Sequence, residues 1–434
     1  MTNDSQQKPI VGAQTQQATV NHLLDFEKVS LDDGAIASKA SDEELNSRYA
    51  KGEIRIVTEQ ARYPLAGILA MLKEEIEGDA GDKELRYKLD PEYQRRHRWD
   101  VVRKSRLIES FLINVPVPPV FLYEHDLARF EVMDGRQRLS ALSDFYADEF
   151  ALTGLQHWSD LDGRKYSELP SKVRDGIDRR YISSVILLQE TAASEEQAAM
   201  LKKMVFERLN SGGEKLASQE TRNAVYNGPL NKLCIELSAN DKFRRMWGIP
   251  VDPKPEEKDA DEESEETLDE STKAGNRKFE RMEDVELVLR FFAYRKIGEF
   301  KAGLNKISEF LDRFIFVGNK FPPEGLEKYR SMFEETVDFL WGVLKNKAFM
   351  LPHGKKQPTK IVYDPLMFAA NNPDVKLNHA KLIKNKDILR EELKTMYKKN
   401  LPLFSGRRTN FKDTQDRNHF MSEAFAAAIA KTKQ

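Results

Sequence analysis

Five consecutive residues, Asp134–Gly135–Arg136–Gln137–Arg138, combine a carboxylate, a glycine, an amide and two guanidinium groups. They lie between an apolar run with strand character, "RFEVM", and one with helical period, "RLSALSDFY". A turn at Asp134–Gly135 therefore delivers the two arginines to the first turn of a helix. Unpaired amides and the positive end of the helix dipole meet there, which suits a phosphate. Gly135 allows positive φ and close approach of another group. Cations oppose the dipole of a bare helix by ~0.3–1 kcal/mol each, so an anion would relieve the arrangement. A plainer reading stands beside it: Asp134 caps the helix, and the arginines are solvated or pair with Glu131 and Asp144.

Two further clusters carry chemistry. "YQRRHRWDVVRKSR" sets Tyr93, Arg95, Arg96, Arg98, Arg103, Lys104 and Arg106 on a turn and the helix after it. It can bind phosphate and stack a base, or Trp99 can staple a helix whose arginines face water. "FERLNSGGEK" ends a helix at Asn210–Ser211–Gly212–Gly213, a turn whose amides can contact a ligand or merely close the helix.

Several classes find no support. There is no phosphate-loop signature, no His-Glu-x-x-His and no nucleophile elbow. Cys234 is the single cysteine, which excludes a disulfide framework and fits a reducing, cytoplasmic setting. His353, His379 and His419 do not assemble into a His–Asn–His nuclease pattern. The polar N-terminal residues lack a signal-peptide pattern, and no apolar run is long enough to cross a membrane. Net charge is −2 over 434 residues, so any anion site must come from local clustering.

The elements that position these residues are short strands mixed with helices. Ile54–Val57 reads as a strand start and "YPLAGILAMLKEEIEG" as a helix with Leu65, Ile68, Leu69 and Leu72 on one stripe. "ELRYKL", "VFLYE", "RFEVM" and "YISSVILLQE" read as strands. Helices are predicted at residues 100–114, from Arg136 onward, and after Ser194 as N-cap, with more helix across "ASQETRNAVYNGPLNKLCIELS". Pro116, Pro118 and Pro119 stop the first of these. The expected organisation is a disordered tail (1–44), an α+β domain (45–248), an acidic disordered linker or insertion (249–278) and a helical domain (279–434). "SGRRTNFKDTQDRNH" in the last part is basic enough to allow DNA contact.

Taken in order, the clusters resemble the N-terminal domain of GmrSD-type modification-dependent restriction proteins, a family with a ParB/sulfiredoxin-like fold. The resemblance rests on Tyr93–Gln94–Arg95 with Trp99, the Val115–Pro116–Val117–Pro118 turn, Asp134–Gly135–Arg136–Gln137–Arg138–Leu139, and Phe206 through Gly213. Glu220–Thr221–Arg222–Asn223–Ala224 fits the family's next helix. It spans roughly residues 45 to 235. Two positions depart from the pattern: Arg136 stands where Gln is usual, and Ser140 where Thr is.

The resemblance implies nucleotide binding and hydrolysis in phage defence. It implies Asp134, Gln137 and Arg138 as catalytic residues. Gln94, Arg95, Gly135, Arg136, Asn210, Gly212 and Gly213 would bind nucleotide or phosphate. An NTP is the implied ligand, with Mg²⁺ held at Asp134 if a metal takes part. A separate nuclease subunit and DNA are the implied partners, because the nuclease domain of restriction members has no counterpart here. The competing reading is a non-enzymatic, DNA-binding regulatory module of ParB type. A scaffold in which the motif only keeps structure is a third.

Overall fold

The computed structural model describes residues 23–28, 41–51, 56–77, 81–89, 99–188, 194–209, 217–251, 270–299, 307–352, 357–405 and 411–432. The first part is α+β, with helices α1 (Asp42–Lys51), α2 (Ile68–Leu72) and α5 (Ser171–Asp178) beside those introduced below. Its strands are β1 (Thr58–Pro64), β2 (Glu75–Glu77), β3 (Lys83–Leu85), β4 (Tyr87–Lys88), β5 (Val120–Asp126), β6 (Arg129–Asp134) and β7 (Tyr181–Leu187). Five of them form a mixed sheet in the order β1-β7-β5-β6-β4. β7 runs parallel to β5 and β4 parallel to β6, while the β1–β7 and β5–β6 pairs are antiparallel. β2 and β3 make a separate hairpin.

Alternation along β5 and β6 decides which side chains face which layer. Val120, Leu122 and Val132 enter a core with Leu139, Leu142 and Phe145 of helix α4 (Arg136–Tyr146) and with Leu107, Ile108 and Phe111 of helix α3 (Val101–Leu112). Met133 and Leu187 face the other way. They share a smaller core with Phe206 of helix α6 (Glu195–Leu209) and Ala224 of helix α7 (Ser218–Val225). Buried Glu109 of α3 accepts backbone N–H bonds from Gln156, His157 and Trp158 at 3.1, 2.7 and 3.0 Å, which fixes the long connection after α4. One carboxylate there replaces the backbone partners that a strand would have supplied.

Some elements differ from the sequence reading. The helix expected from Tyr63 shrinks to Ile68–Leu72 behind a 3-10 turn, Leu65–Gly67, because Tyr63 and Pro64 end β1 and Glu75–Glu77 pairs with β3. Pro64 holds extended backbone at φ −61° and ψ 136°, and Leu65, Ile68 and Leu72 are buried by one short helix. Strand structure begins at Thr58, after Ile56–Val57; residues 54 and 55 lie outside the described segments. β1 is a polar edge strand, so hydrophobic alternation does not announce it. "ELRYKL" splits at Arg86 between two sheets. Helices Ser171–Asp178 and Asp241–Trp247 lie where the sequence reading places no element, although Asn240 as N-cap and Gly248 as C-cap frame the second.

The C-terminal part is helical. Its core takes in Leu230, Cys234, Phe243 and Trp247, which precede the acidic stretch, together with residues from Met282 onward. The acidic residues 252–269 lie outside the described segments, and a helix, Glu270–Glu280, follows them within the span expected to be linker. Asp25–Glu27, in the span expected to be tail, forms a 3-10 turn whose Phe26, with neighbouring Leu24, packs on the helical core. Among the described residues no helix is long and apolar enough to cross a membrane.

Candidate functional site

β6 ends at Asp134, and Gly135 alone makes the turn into α4, with φ 93° and ψ 8°. Left-handed backbone is one reason for glycine. Crowding is another: a Cβ here would meet Val120 Cγ1 at 2.5 Å and Arg138 Nη2 at 2.9 Å. Gly135 is the N-cap of α4 and has no side chain with which to cap the helix. Asp134 therefore does not cap. Its Oδ2 instead accepts from Arg138 Nη2 at 2.9 Å, one helical turn on. The same Nη2 donates to the Pro119 carbonyl at 3.1 Å. The guanidinium is thus braced between the proline turn that opens β5 and the acid that closes β6. Arg138 is 15% exposed and Asp134 38%, so the pair sits at the protein surface with its carboxylate the more open partner.

Gln137 faces the other wall. Its Oε1 accepts the Trp99 backbone N–H at 3.2 Å, which ties α4 to the entrance of α3. Asp100 caps α3 through a 2.6 Å bond from the Arg103 N–H, and Arg103 lies over the Trp99 ring at 4.8 Å. Lys104 reaches back to Asp144 of α4 at 2.8 Å. The acids that were candidate partners for Arg136 and Arg138 are engaged elsewhere: Asp144 with Lys104, and Glu131 with buried Lys202 at 2.5 Å.

That last pair orients α6. Lys202 meets Glu131, and four residues on Phe206 shares a core with Met133. Helix α6 therefore runs alongside β6 in the same direction. Its C-terminal end is led toward the end of β6, where Asp134 and Gly135 sit. Asn210, Gly212 and Gly213 follow that end, and Gln94, Arg95 and His97 precede Trp99. All of these lie outside the described residues, as does His353.

Of the site residues expected from sequence, the structure brings together Asp134, Gly135, Arg136, Gln137 and Arg138 at one strand–helix junction. Pro119 and Val120 belong with them and were passed over; their only sequence signal is a proline-rich turn opening an apolar strand. Arg222 goes elsewhere. It is 1% exposed and bonds Asp312 at 2.8 Å and Glu286 at 2.9 Å, in the helical part. Among the described residues no group of three His, Cys, Asp or Glu side chains could hold a metal. His379 stacks on Phe339 at 3.9 Å and contacts the Ala370 carbonyl; burial pushes its pKa down, as for a neutral packing residue. Cys234 is buried, and burial pushes its thiol pKa well up.

Residues 72–227 match the family described as GmrSD restriction endonuclease, N-terminal domain. That segment is a GmrSD-type N-terminal domain. The match begins inside the short helix after β1 and ends just past α7. It contains the whole Asp134–Arg138 junction. It leaves out β1, although β1 completes the sheet against β7. No curated protein and no solved structure matches the chain. The family match ties the α+β part to restriction-type systems.

Proposed function

We propose that the protein is a nucleotide-binding component, and a slow NTP hydrolase, of a restriction-type phage-defence system. The observation that carries this reading is the junction itself: a helix start with glycine at its N-cap, beside an arginine braced by Asp134 and the Pro119 carbonyl. A helix N-terminus, with its positive dipole end, and a fixed guanidinium are what phosphate oxygens require. Phosphoryl transfer asks little covalent chemistry of a protein; positioning and charge neutralisation do most of the work.

In this reading Arg138 and the amides after Gly135 neutralise the phosphates. Arg136 adds positive charge at the same helix start. Asp134 accepts a hydrogen bond from the attacking water, and it is the residue that would hold Mg²⁺, an ion commonly bound by one or two carboxylates plus substrate. Such an ion would add charge neutralisation. Gln137 holds the α3 entrance against the site through Trp99. Gln94, Arg95, Asn210, Gly212 and Gly213 would complete the site from the two flanking segments. The mixed sheet is compatible with a ParB/sulfiredoxin-like fold. DNA cleavage would come from a separate nuclease subunit, with DNA as the common target.

The test is a thermal-shift screen across nucleotides, with and without Mg²⁺, followed by phosphate release. Wild type is compared with Asp134→Ala and Arg138→Ala. Ligand at a hundred times its Kd stabilises by about 2.7 kcal/mol, which such a screen resolves. Binding and turnover that survive unchanged in both variants sink the reading. DNA binding that falls steeply with salt, in the absence of any nucleotide effect, would point to the regulatory module instead.

A further inference from the structure

Leu23–Lys28 lies far in sequence from the helices it touches, yet it is held as a ligand is held. Phe26 packs edge-on to Phe321, with ring centroids 5.0 Å apart, and against Tyr329 at 5.5 Å. The floor beneath its ring is Gly325, near the start of the long helix Pro323–Leu344; a Cβ there would lie 3.0–3.1 Å from three ring carbons. Glu27 is fully buried. Its carboxylate accepts two bonds from Arg295, at 2.7 and 2.8 Å, and one from the Tyr329 hydroxyl at 2.7 Å. Lys296 donates to the Glu27 backbone carbonyl at 2.6 Å. The Leu24 N–H also points at the Glu27 carboxylate, so the bound turn is closed on itself.

The contacts alternate with exposure. Leu24, Phe26 and Glu27 face the helices, while the Asp25 side chain is 98% exposed and pairs only with exposed Lys28 in the interactions seen. Leu24 also borders a cavity of about 520 Å³ lined by Phe291, Met332 and Phe368. A two-pronged arginine grip on one carboxylate, an aromatic slot floored by glycine and an apolar cavity beside them make a pattern reader. The pattern is Leu-x-Phe-Glu.

We infer that the helical part carries a docking site for short peptides of the form Leu-x-Phe-Glu, filled here by Leu24–Glu27 of the same chain. The ligand class is an acidic, aromatic turn-forming peptide, and the chain's own segment occupies the site in cis. Arg295, Tyr329 and Gly325 set the specificity. This stands independently of nucleotide binding at Asp134–Arg138.

The experiment uses full-length protein with the site vacated by Phe26→Ala plus Glu27→Ala, titrated with a labelled peptide of sequence Leu-Leu-Asp-Phe-Glu-Lys. Saturable binding is expected to the vacated protein, at least roughly tenfold tighter than to wild type, whose own segment competes as a tethered ligand. A peptide with the Glu27→Gln change should bind on the order of a hundredfold more weakly, since it removes the carboxylate charge that faces the Arg295 guanidinium. A peptide with Asp25→Ala should bind as well as the parent. Absence of binding to the vacated protein, or equal binding of the Glu27→Gln peptide, overturns the inference. If the double variant does not fold, Phe26→Ala alone takes its place under the same criteria. Failure of both to fold would make the segment an integral piece of core, which also overturns it.

Discussion

Arg138 Nη2 lies 2.9 Å from Asp134 Oδ2 and 3.1 Å from the Pro119 carbonyl, so one nitrogen joins the end of β6 to the start of β5. The pair is partly open to solvent, and an exposed ion pair one helical turn apart contributes only ~0.5 kcal/mol. Asp134→Asn should therefore cost less than about 1 kcal/mol, as an amide still accepts from Arg138. Nucleotide turnover, by contrast, should fall at least about tenfold, because the charge beside the phosphates is gone. Urea melts and phosphate release on the same preparation separate the two effects. A variant as active as wild type would remove Asp134 from the chemistry.

Gly135 is constrained twice, by φ 93° and by Val120 and Arg138 at sub-contact distance from any Cβ. Gly135→Ala is expected to destabilise by about 2–4 kcal/mol, combining left-handed strain with overpacking. Adding Val120→Ala should relieve the crowding and leave the backbone strain. The double variant would then sit between Gly135→Ala and the sum of the single changes. Denaturation midpoints check this, and strict additivity would mean that the contact does not govern the cost.

Gln137 has a structural duty irrespective of any catalytic one. Its carbonyl oxygen receives the Trp99 N–H. Gln137→Ala should cost about 1 kcal/mol and speed amide exchange at Trp99. Gln137→Glu keeps an acceptor and should preserve that protection. Equal Trp99 protection in wild type and Gln137→Ala would show the bond to be dispensable.

The junction was legible in the sequence because its parts are local. Apolar alternation through Val132, a glycine, and the helical recurrence of Leu139, Leu142 and Phe145 all occur within fifteen residues, and each signal agrees with the others. What braces the junction was not legible. Pro119 lies nineteen residues before Arg138 and its carbonyl carries no side-chain signature. Edge strand β1 was signalled only by the apolar run Ile54–Val57 before it, because its own face is polar, and the split of "ELRYKL" was not legible because sheet membership depends on partners far along the chain. Likewise Arg222 sits in a motif-like stretch, yet its partners Asp312 and Glu286 lie 90 and 64 positions away.

Those partners give the protein an acid-sensitive seam between α7 and the helical part. Glu286 accepts from Arg222 and also pairs with Lys360 at 2.7 Å. Burial alone would raise its carboxyl pKa, but Lys360, Arg222 and Arg290 outweigh that and hold it at about 2. The folded value is below the unfolded one, so the carboxylate contributes stability that is fully present above the ordinary Glu range. That contribution is lost as pH falls from about 4.5 toward 2, and amounts to on the order of 3 kcal/mol. Urea midpoints of wild type should therefore decline over that window. Glu286→Gln should start less stable at pH 7 and decline less steeply, because the titrating group is absent. Arg222→Ala should flatten the slope in part, since Lys360 and Arg290 remain, and should cost roughly 1.5–3 kcal/mol at neutral pH, because Lys203 still pairs with Asp312 at 2.6 Å and Lys360 with Glu286. Parallel acid slopes in wild type and Glu286→Gln would assign the pH dependence to other carboxylates.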